Sequence, residues 1–361
     1  MDFSFWKNKK VLITGHTGFK GSWLSLWLQI AGADLVGFAL APPTNPSLFK
    51  SARIDQGMIS LSGDIRDIEQ IEAAIQTHRP EIIFHMAAQS LVGISYKNPV
   101  ETYSTNVMGT VNLLDVVRRT PGTKVVVNIT SDKCYENREW IWGYRENESM
   151  GGHDPYSNSK GCSELVTSAF RNSFFHSSEF SQHGVALASA RAGNVIGGGD
   201  WSEDRLIPDI IKSLMCQESI VIRNPHAVRP WQHVLEPLLG YILLAEKLWK
   251  DGAEVAEGWN FGPNDVDTKP VFWIVDTITK LWGENAGWKT STGKHPYEAS
   301  YLKLDSSKAR ARIGWYPRWD LETSLKAVVD WYRSYNRNEN MRDKTIEQIL
   351  YYYPINLHHK G

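Results

Sequence analysis

Short apolar runs alternate with longer runs of helical period along the first half of the chain. Residues 11–14 form a β-rich run that stops at a glycine cluster, and residues 18–30 follow with Trp23, Leu24, Trp27 and Leu28 at helical spacing. Residues 35–38 and 59–63 predict two more strands, the second ending at Asp64. A helix over 69–77 leads to a buried strand over 82–85. From 99 to 118 the apolar positions Val100, Tyr103, Val107, Val111 and Leu114 predict one long helix, and 125–130 and 185–191 predict further buried strands. Strand and helix in this alternation build an α/β fold, a doubly wound parallel Rossmann sheet. After Arg191 the alternation breaks. Residues 193–200 hold four glycines and predict a loop, and the remainder is mixed, with many Trp and Pro. The division this suggests is 1–191 for a dinucleotide-binding domain and 192–361 for a smaller mixed substrate lobe. A return to the first domain is expected near 230–262, where Asn260 and Pro263 mark a strand end and turn.

Composition narrows the function. Hydrophobic residues make up 42% of the 361, enough for a sizeable core and too many for disorder. The 39 basic and 40 acidic residues leave a formal charge of -1, so no global field attracts nucleic acid or an anionic membrane. An anionic ligand must therefore be held by a local site. Cys134, Cys162 and Cys216 form no CxxC pair, which argues against a disulfide framework or structural zinc and fits a reducing cytoplasm. No metal, signal peptide or membrane span is expected.

Gly15, Gly18 and Gly21 stand between the first strand and the first helix, in G-x-x-G-x-x-G spacing. Gly15 permits the tight turn, Gly18 the approach of a pyrophosphate and Gly21 close helix–sheet packing. An acid that would hold the adenosine ribose is expected ~20 residues on. Residues 38–43 hold neither acid nor arginine, so charge leaves NAD and NADP both open. Asp64, with Ile65, is a candidate for adenine contact; the other reading is a helix cap with Asp67. His16 and Lys20, inside the loop, either aid the phosphates or crowd them.

Tyr156 and Lys160 lie four apart on one helical face. An ammonium beside a phenol draws its pKa down from ~10, so that the phenolate can take a proton from an alcohol while hydride leaves the carbon. Ser131 stands at the C-terminal end of a buried strand, where open α/β sheets bind ligands.

Ser131, Tyr156, Lys160 and the glycine loop resemble the extended short-chain dehydrogenase/reductase family over nearly the whole chain. So do Asn106 in Thr-Asn-Val-Met-Gly and the strand end His85-Met-Ala-Ala-Gln. Thr130-Ser-Asp-Lys sits where the nucleotide-sugar 4,6-dehydratases of that family carry Thr-Asp-Glu. The resemblance implies NAD as cofactor, contacted by Gly15, Thr17, Gly18, Phe19, Gly21, Asp64 and Ile65. Ala87, Ala88, Gln89, Asn106, Tyr156 and Lys160 complete that set. It implies a redox-neutral lyase in which Ser131 supplies the hydroxyl and Asp132 the acid, with Lys133 in place of the family's Glu base. The runs 191–201 and 229–234 extend the likeness and imply a CDP-hexose substrate; the nucleobase rests on resemblance alone. Asn194 and Arg229 are candidates for its diphosphate, with Arg205, His233 and Tyr301 added by position. In the family, helices like 99–118 and 156–175 form a four-helix core, so a homodimer or a dimer of dimers is expected. Two rivals stand. A nucleotide-sugar 4-epimerase uses the same Tyr, Lys and glycines without the Asp132 chemistry. A non-catalytic NAD-binding regulatory protein has no use for Tyr156–Lys160 and Ser131–Asp132 together.

Overall fold

The computed structural model describes residues 1–283, 287–291 and 301–354. Strands β1 (Lys10–Thr14), β2 (Asp34–Ala39), β3 (Ile59–Ser62), β4 (Ile82–His85), β5 (Val125–Ile129) and β6 (Ala186–Ala192) arise at short apolar runs, rich in β-branched residues in β1, β4 and β5. Two short strands follow, β7 (Asn194–Ile196) and β8 (Val228–His233), then β9 (Gly258–Phe261) and β10 (Thr268–Pro270). The large sheet has seven strands in the order β3-β2-β1-β4-β5-β6-β9, every pair parallel. Its last strand, β9, returns from late in the chain. The order reverses between β1 and β4, and the crevice beyond their C-terminal ends is where such sheets take ligands.

The principal helices are α1 (Phe19–Ile30), α2 (Ile68–His78), α3 (Gly109–Arg119), α4 (Pro155–Ser173), α5 (Leu206–Met215), α6 (Leu235–Asp251) and α7 (Leu321–Asn336). The two-residue period of β5 splits its side chains. Val125 and Val127 join the core shared with α1, α6 and α7, while Val126 joins the core shared with α2 and α3. Six tryptophans, among them Trp23, Trp27 and Trp331, are fully buried.

Two local expectations change. The helix foreseen over 99–118 is Pro99–Tyr103, a π turn at Ser104–Met108, and α3. The extra residue in that turn faces Asn106 inward. There Asn106 accepts from the Gln89 N–H at 2.8 Å and donates to the Gln89 carbonyl at 2.9 Å and Ser159 Oγ at 2.8 Å. The glycine-bearing loop over 193–200 contains β7, which pairs parallel with β8; β10 completes this three-stranded sheet antiparallel to β8. Among the described residues no helix is long and apolar enough to cross a membrane.

Candidate active site

The loop between β1 and α1 is shaped by contacts that exclude side chains. Gly15 has φ +75°, and a Cβ there would lie 2.7 Å from the Ala87 nitrogen. A Cβ on Gly21 would lie 2.2 Å from the Gly15 carbonyl oxygen, which explains the close seat of α1 on the loop. Gly18 differs: a Cβ there would meet only the Gly15 carbonyl, at 3.4 Å. Nothing in the chain itself demands glycine at Gly18, so the open side of the loop, at the start of α1, fits an incoming pyrophosphate. Phe19 begins α1, and Thr17 Oγ1 donates to the Leu40 carbonyl at 2.9 Å, tying the loop to the end of β2. The loop after β4 is pinned as well, because Thr14 Oγ1 accepts from the N–H groups of Met86 and Ala87 at 3.0 and 3.1 Å. Ala88 continues this loop, and Gln89 is locked by Asn106. The residues present thus fit a dinucleotide.

Three residues on this side are placed by the fold. Asp64 is clasped by Arg66 at 2.5 Å, and the hydrogen bond from that guanidinium holds its carboxyl below the usual range. Asp67 alone caps α2, accepting from the N–H groups of Glu69 and Gln70. Ile65 is buried, and a Cβ on Gly109 would lie 2.7 Å from its Cγ2, so its side chain packs on α3. His16 does not face the phosphates. Its ring lies beneath Gly37, Nε2 meets Ser60 Oγ at 2.7 Å, and burial pushes its pKa down to about 4.

The reacting groups gather at the end of β5 and the start of α4. The strand stops at Ile129, and Asp132–Cys134 form a single 3-10 turn whose N-cap is Ser131. Ser131 Oγ donates to Asp132 Oδ1 at 3.0 Å and accepts from the Lys133 N–H at 3.3 Å. This turn removes the strand alternation that would have sent Asp132 and Lys133 to opposite sides. Asp132 is buried, and burial pushes its carboxyl pKa up, against the charges of Lys133 and Lys20. A carboxyl shifted in this direction holds its proton to higher pH, which suits it to donate one.

Tyr156, on the first turn of α4, does not show the depressed pKa expected from Lys160. Burial pushes the phenol up to about 12, a contact with the Ser131 hydroxyl pulls it down, and the Asp132 charge pushes it up again. The Lys160 amine donates to the Ile129 carbonyl at 3.2 Å, and burial lowers it to about 8 against the attraction of Glu164. Lys20 reaches the same place from α1. Its amine donates to Tyr241 Oη at 3.5 Å, and burial with the Lys160 and Arg205 charges brings it down to about 7. Arg205 precedes α5 and donates to Asp200 Oδ2 at 2.8 Å and Ser90 Oγ at 3.3 Å. Lys20 thus feels the charges of Lys160, Arg205 and Asp132, and Arg205 that of Tyr156.

Of the remaining candidates, Asn194 follows Gly193, where a Cβ would lie 2.7 Å from Asp132 Oδ2. Asn194 starts β7, beside Trp231 of β8. Arg229 is on β8, opposite Lys269 of β10, and the Tyr301 carbonyl accepts from Asn137 Nδ2 at 3.0 Å. His233 is a core residue. It is fully buried, packs against Trp23 and Trp319, and is held neutral, burial lowering it to about 3.

The family model described as GDP-mannose 4,6 dehydratase matches residues 12–328. The chain belongs to that family. Among its relatives is CDP-glucose 4,6-dehydratase of Salmonella typhimurium, 60% identical over 94% of this chain and 95% of that protein. A dTDP-glucose 4,6-dehydratase of Xanthomonas campestris is 25% identical over 89% of this chain and 92% of its own length. A dTDP-glucose 4,6-dehydratase from Bacillus anthracis, solved in complex with NAD, shares the fold at TM-score 0.75 and 23% identity, over 91% of this chain and 98% of that one. As a member of this dehydratase family the chain is a hydro-lyase, and water loss requires an acid at the site as well as a redox group. Asp132 is a buried carboxyl whose charge Tyr156 feels.

Sequence reasoning passed over the support beneath these groups. Glu164 of α4 and Arg191 of β6 form a buried ion pair at 2.7 Å. Glu164 also accepts from Thr130 Oγ1, just before Ser131, and from Ser189 Oγ at 2.6 Å. Arg191 donates onward to Tyr135 Oη at 2.6 Å, which donates to Asn260 Oδ1 at 2.8 Å. Glu164 lies four residues after Lys160 on the same helix, the one signal in the sequence that pointed to it.

Proposed function

We propose that this protein removes water from CDP-D-glucose to give CDP-4-keto-6-deoxy-D-glucose. The observation that carries the reaction type is the buried Asp132 carboxyl, its pKa raised, on one turn with Ser131 and close enough for the Tyr156 phenol to feel its charge. The nucleotide follows the Salmonella relative, with which 60% of residues are shared. NAD is the cofactor, on the glycine loop. Bound there, it would supply the acceptor for the C4 hydride and the donor for C6, so that no reductant is consumed. Tyr156 takes the O4 proton, and the Ser131 hydroxyl steadies the developing phenolate. Lys160 orients the cofactor ribose from the same helix. The resulting 4-keto group acidifies the C5 proton, and Lys133 is the residue of the turn available to accept it. Asp132 gives its proton to O6 as water leaves, and Lys133 gives the C5 proton back as hydride reaches C6. Asn194 and Arg229, in the lobe of residues 192–361, hold the diphosphate.

A 4-epimerase leaves Asp132 and Lys133 without a task. The deciding experiment is incubation with CDP-, dTDP-, GDP- and UDP-glucose, followed by mass analysis. Loss of water from the CDP sugar alone is expected; an epimerised product of unchanged mass refutes the reading.

The assembly is a homodimer, or a pair of dimers, through the face of helices at 92–108 and α4. Ile94, Tyr96, Val100, Tyr103, Met108 and Leu165 expose apolar side chains there, with Val100 81% and Leu165 58% exposed. A second copy of the same face is the occupant that matches a self-complementary apolar surface. The three cysteines are all free, which fits a cytoplasmic location.

A further inference from the structure

At the foot of the glycine loop lies a polar cluster that the chemistry above does not use. Thr14 and His85 are partners in register at the ends of β1 and β4, the strands between which the sheet order reverses. Both are buried, as are Thr110 of α3, Ser163 of α4 and Asn128 of β5, which continue the cluster. Its hydrogen bonds fix where each proton sits. A hydroxyl has one proton and two lone pairs. Thr14 Oγ1 accepts from the N–H groups of Met86 and Ala87 at 3.0 and 3.1 Å, which takes both lone pairs. Its own proton must go to its third neighbour, His85 Nδ1, at 2.8 Å. Nδ1 is then bare, and the ring proton is on Nε2, which faces Thr110 Oγ1 at 3.3 Å. Thr110 can accept it, because its own proton goes to the Asn106 carbonyl at 2.8 Å. Ser163 fits the same order, accepting from Asn128 Nδ2 at 3.0 Å and donating to Thr110 Oγ1 at 3.0 Å. The ring is neutral, as this order requires, burial and then the Lys160 charge lowering its pKa to about 3. A Cβ on Gly15 would lie 2.7 Å from the Ala87 nitrogen and 2.8 Å from the Met86 carbonyl, so the glycine turn rests directly on the segment that Thr14 holds.

We propose that His85 is a positioning residue for the dinucleotide: its bare Nδ1 takes the Thr14 hydroxyl proton, which turns both lone pairs of that oxygen onto the loop beneath Gly15. The proposal rests on the glycine loop being the NAD site. With the ring proton on Nδ1, three donors would compete for two lone pairs on Thr14, and one N–H of the loop would lose its acceptor.

The test compares wild type, His85→Asn and His85→Gln. The Asn carbonyl oxygen takes the place of Nδ1 and keeps an acceptor for Thr14. The Gln amide nitrogen takes the place of Nε2 and keeps only the donor to Thr110. NAD titrated by calorimetry should bind His85→Asn within about threefold of wild type and His85→Gln about tenfold more weakly, the scale of one lost hydrogen bond. In protein freed of NAD, hydrogen exchange at Met86 and Ala87 should speed up about tenfold in His85→Gln and stay near wild type in His85→Asn. Asparagine removes more of the buried side chain, so His85→Asn should melt lower than His85→Gln, and a merely structural role ranks NAD affinity in that same order. NAD affinity that follows melting temperature, or is equal in the two variants, overturns the proposal. If neither variant folds, nitrogen NMR of wild type labelled at histidine decides, a proton on Nε2 supporting the proposal and a proton on Nδ1 overturning it. A wild type that binds no NAD refutes the cofactor site separately, and the exchange rates and the ring tautomer then decide alone.

Discussion

Asp132→Asn separates the elimination from the redox half of the reaction. The exchange is close to isosteric, and the site tolerates its shape. The Asn carbonyl oxygen keeps the hydrogen bond from Ser131 Oγ, now 3.0 Å to Oδ1. The amide nitrogen takes the place of Oδ2, which faces Gly193, where a Cβ would come within 2.7 Å and glycine leaves the room. What is lost is the transferable proton. Without it, O6 must leave as hydroxide, and removal of a positioned acid costs ~10²–10⁴-fold, or about 3–5 kcal/mol of barrier. The redox half moves the other way. Asp132 opposes ionisation of Tyr156 only when it is itself ionised, so a permanently neutral side chain leaves the phenolate as accessible as before, or more so. Stopped-flow absorbance of reduced nicotinamide should therefore show a persistent transient, while mass analysis shows water loss slowed by ~10²-fold or more. If the transient vanishes, Asp132 belongs to the redox half. If water loss is unchanged, another group is the acid.

Tyr156→Phe should lower turnover by ~10²–10⁴-fold while NAD binding by calorimetry survives; turnover within a few-fold of wild type removes Tyr156 from the mechanism. No acid follows β2 to hold the ribose, so a fraction of the purified protein should lack NAD, and a stoichiometric cofactor that survives dialysis contradicts this. Light scattering at micromolar concentration should give at least a dimer, and Val100→Glu with Leu165→Glu a monomer; a monomeric wild type overturns the proposed face. Glu236, buried under the N–H groups of Arg318 and Trp319 and the Tyr352 hydroxyl, has its carboxyl raised by burial to about 7. Because the folded pKa exceeds the unfolded one, its contribution is full below the unfolded value of ~4.3 and is lost as pH rises toward the folded value. Melting temperature should fall over that interval in wild type and fall less in Glu236→Gln; parallel profiles refute the assignment.

The large sheet was legible because its central strands are buried on both faces and read as nearly unbroken apolar runs, Ile82 to His85 and Val125 to Ile129 being the clearest. The glycine loop was legible because backbone crowding leaves no alternative at Gly15 and Gly21. The reacting side chains were found through the spacing of Tyr156 and Lys160 and through resemblance, but their electrostatics were not. Sequence spacing cannot say that the Lys160 amine points to the Ile129 carbonyl, or that burial outweighs every charge near Tyr156. The core place of His233 was not legible, because only the packing of Trp23 and Trp319 around it shows it. Tyr241 was missed because its position near Lys20 is created by the docking of α6.

The Glu164–Arg191 pair joins the two segments whose mutual placement the chemistry needs. Glu164 rides on the helix of Tyr156 and Lys160, and its carboxylate accepts from Thr130, the residue before Ser131. Burial works against the Glu164 charge, yet Arg191, Ser189 and Thr130 together hold the carboxyl below its usual value. A buried ion pair contributes little net stability against a well-packed apolar substitute, because desolvation offsets the attraction. Its directional hydrogen bonds instead fix one register of α4 on the end of β5. Glu164→Gln leaves the Arg191 charge buried and unmatched and should destabilise the fold by about 3–5 kcal/mol. Glu164→Gln with Arg191→Met removes both charges and should recover most of that loss. If the pair sets register, the double variant melts near wild type while kcat stays depressed at least about tenfold, because an ångström-scale misplacement of reacting groups has effects of that order or larger. Recovery of kcat together with stability would show that packing alone aligns Tyr156 with Ser131 and Asp132.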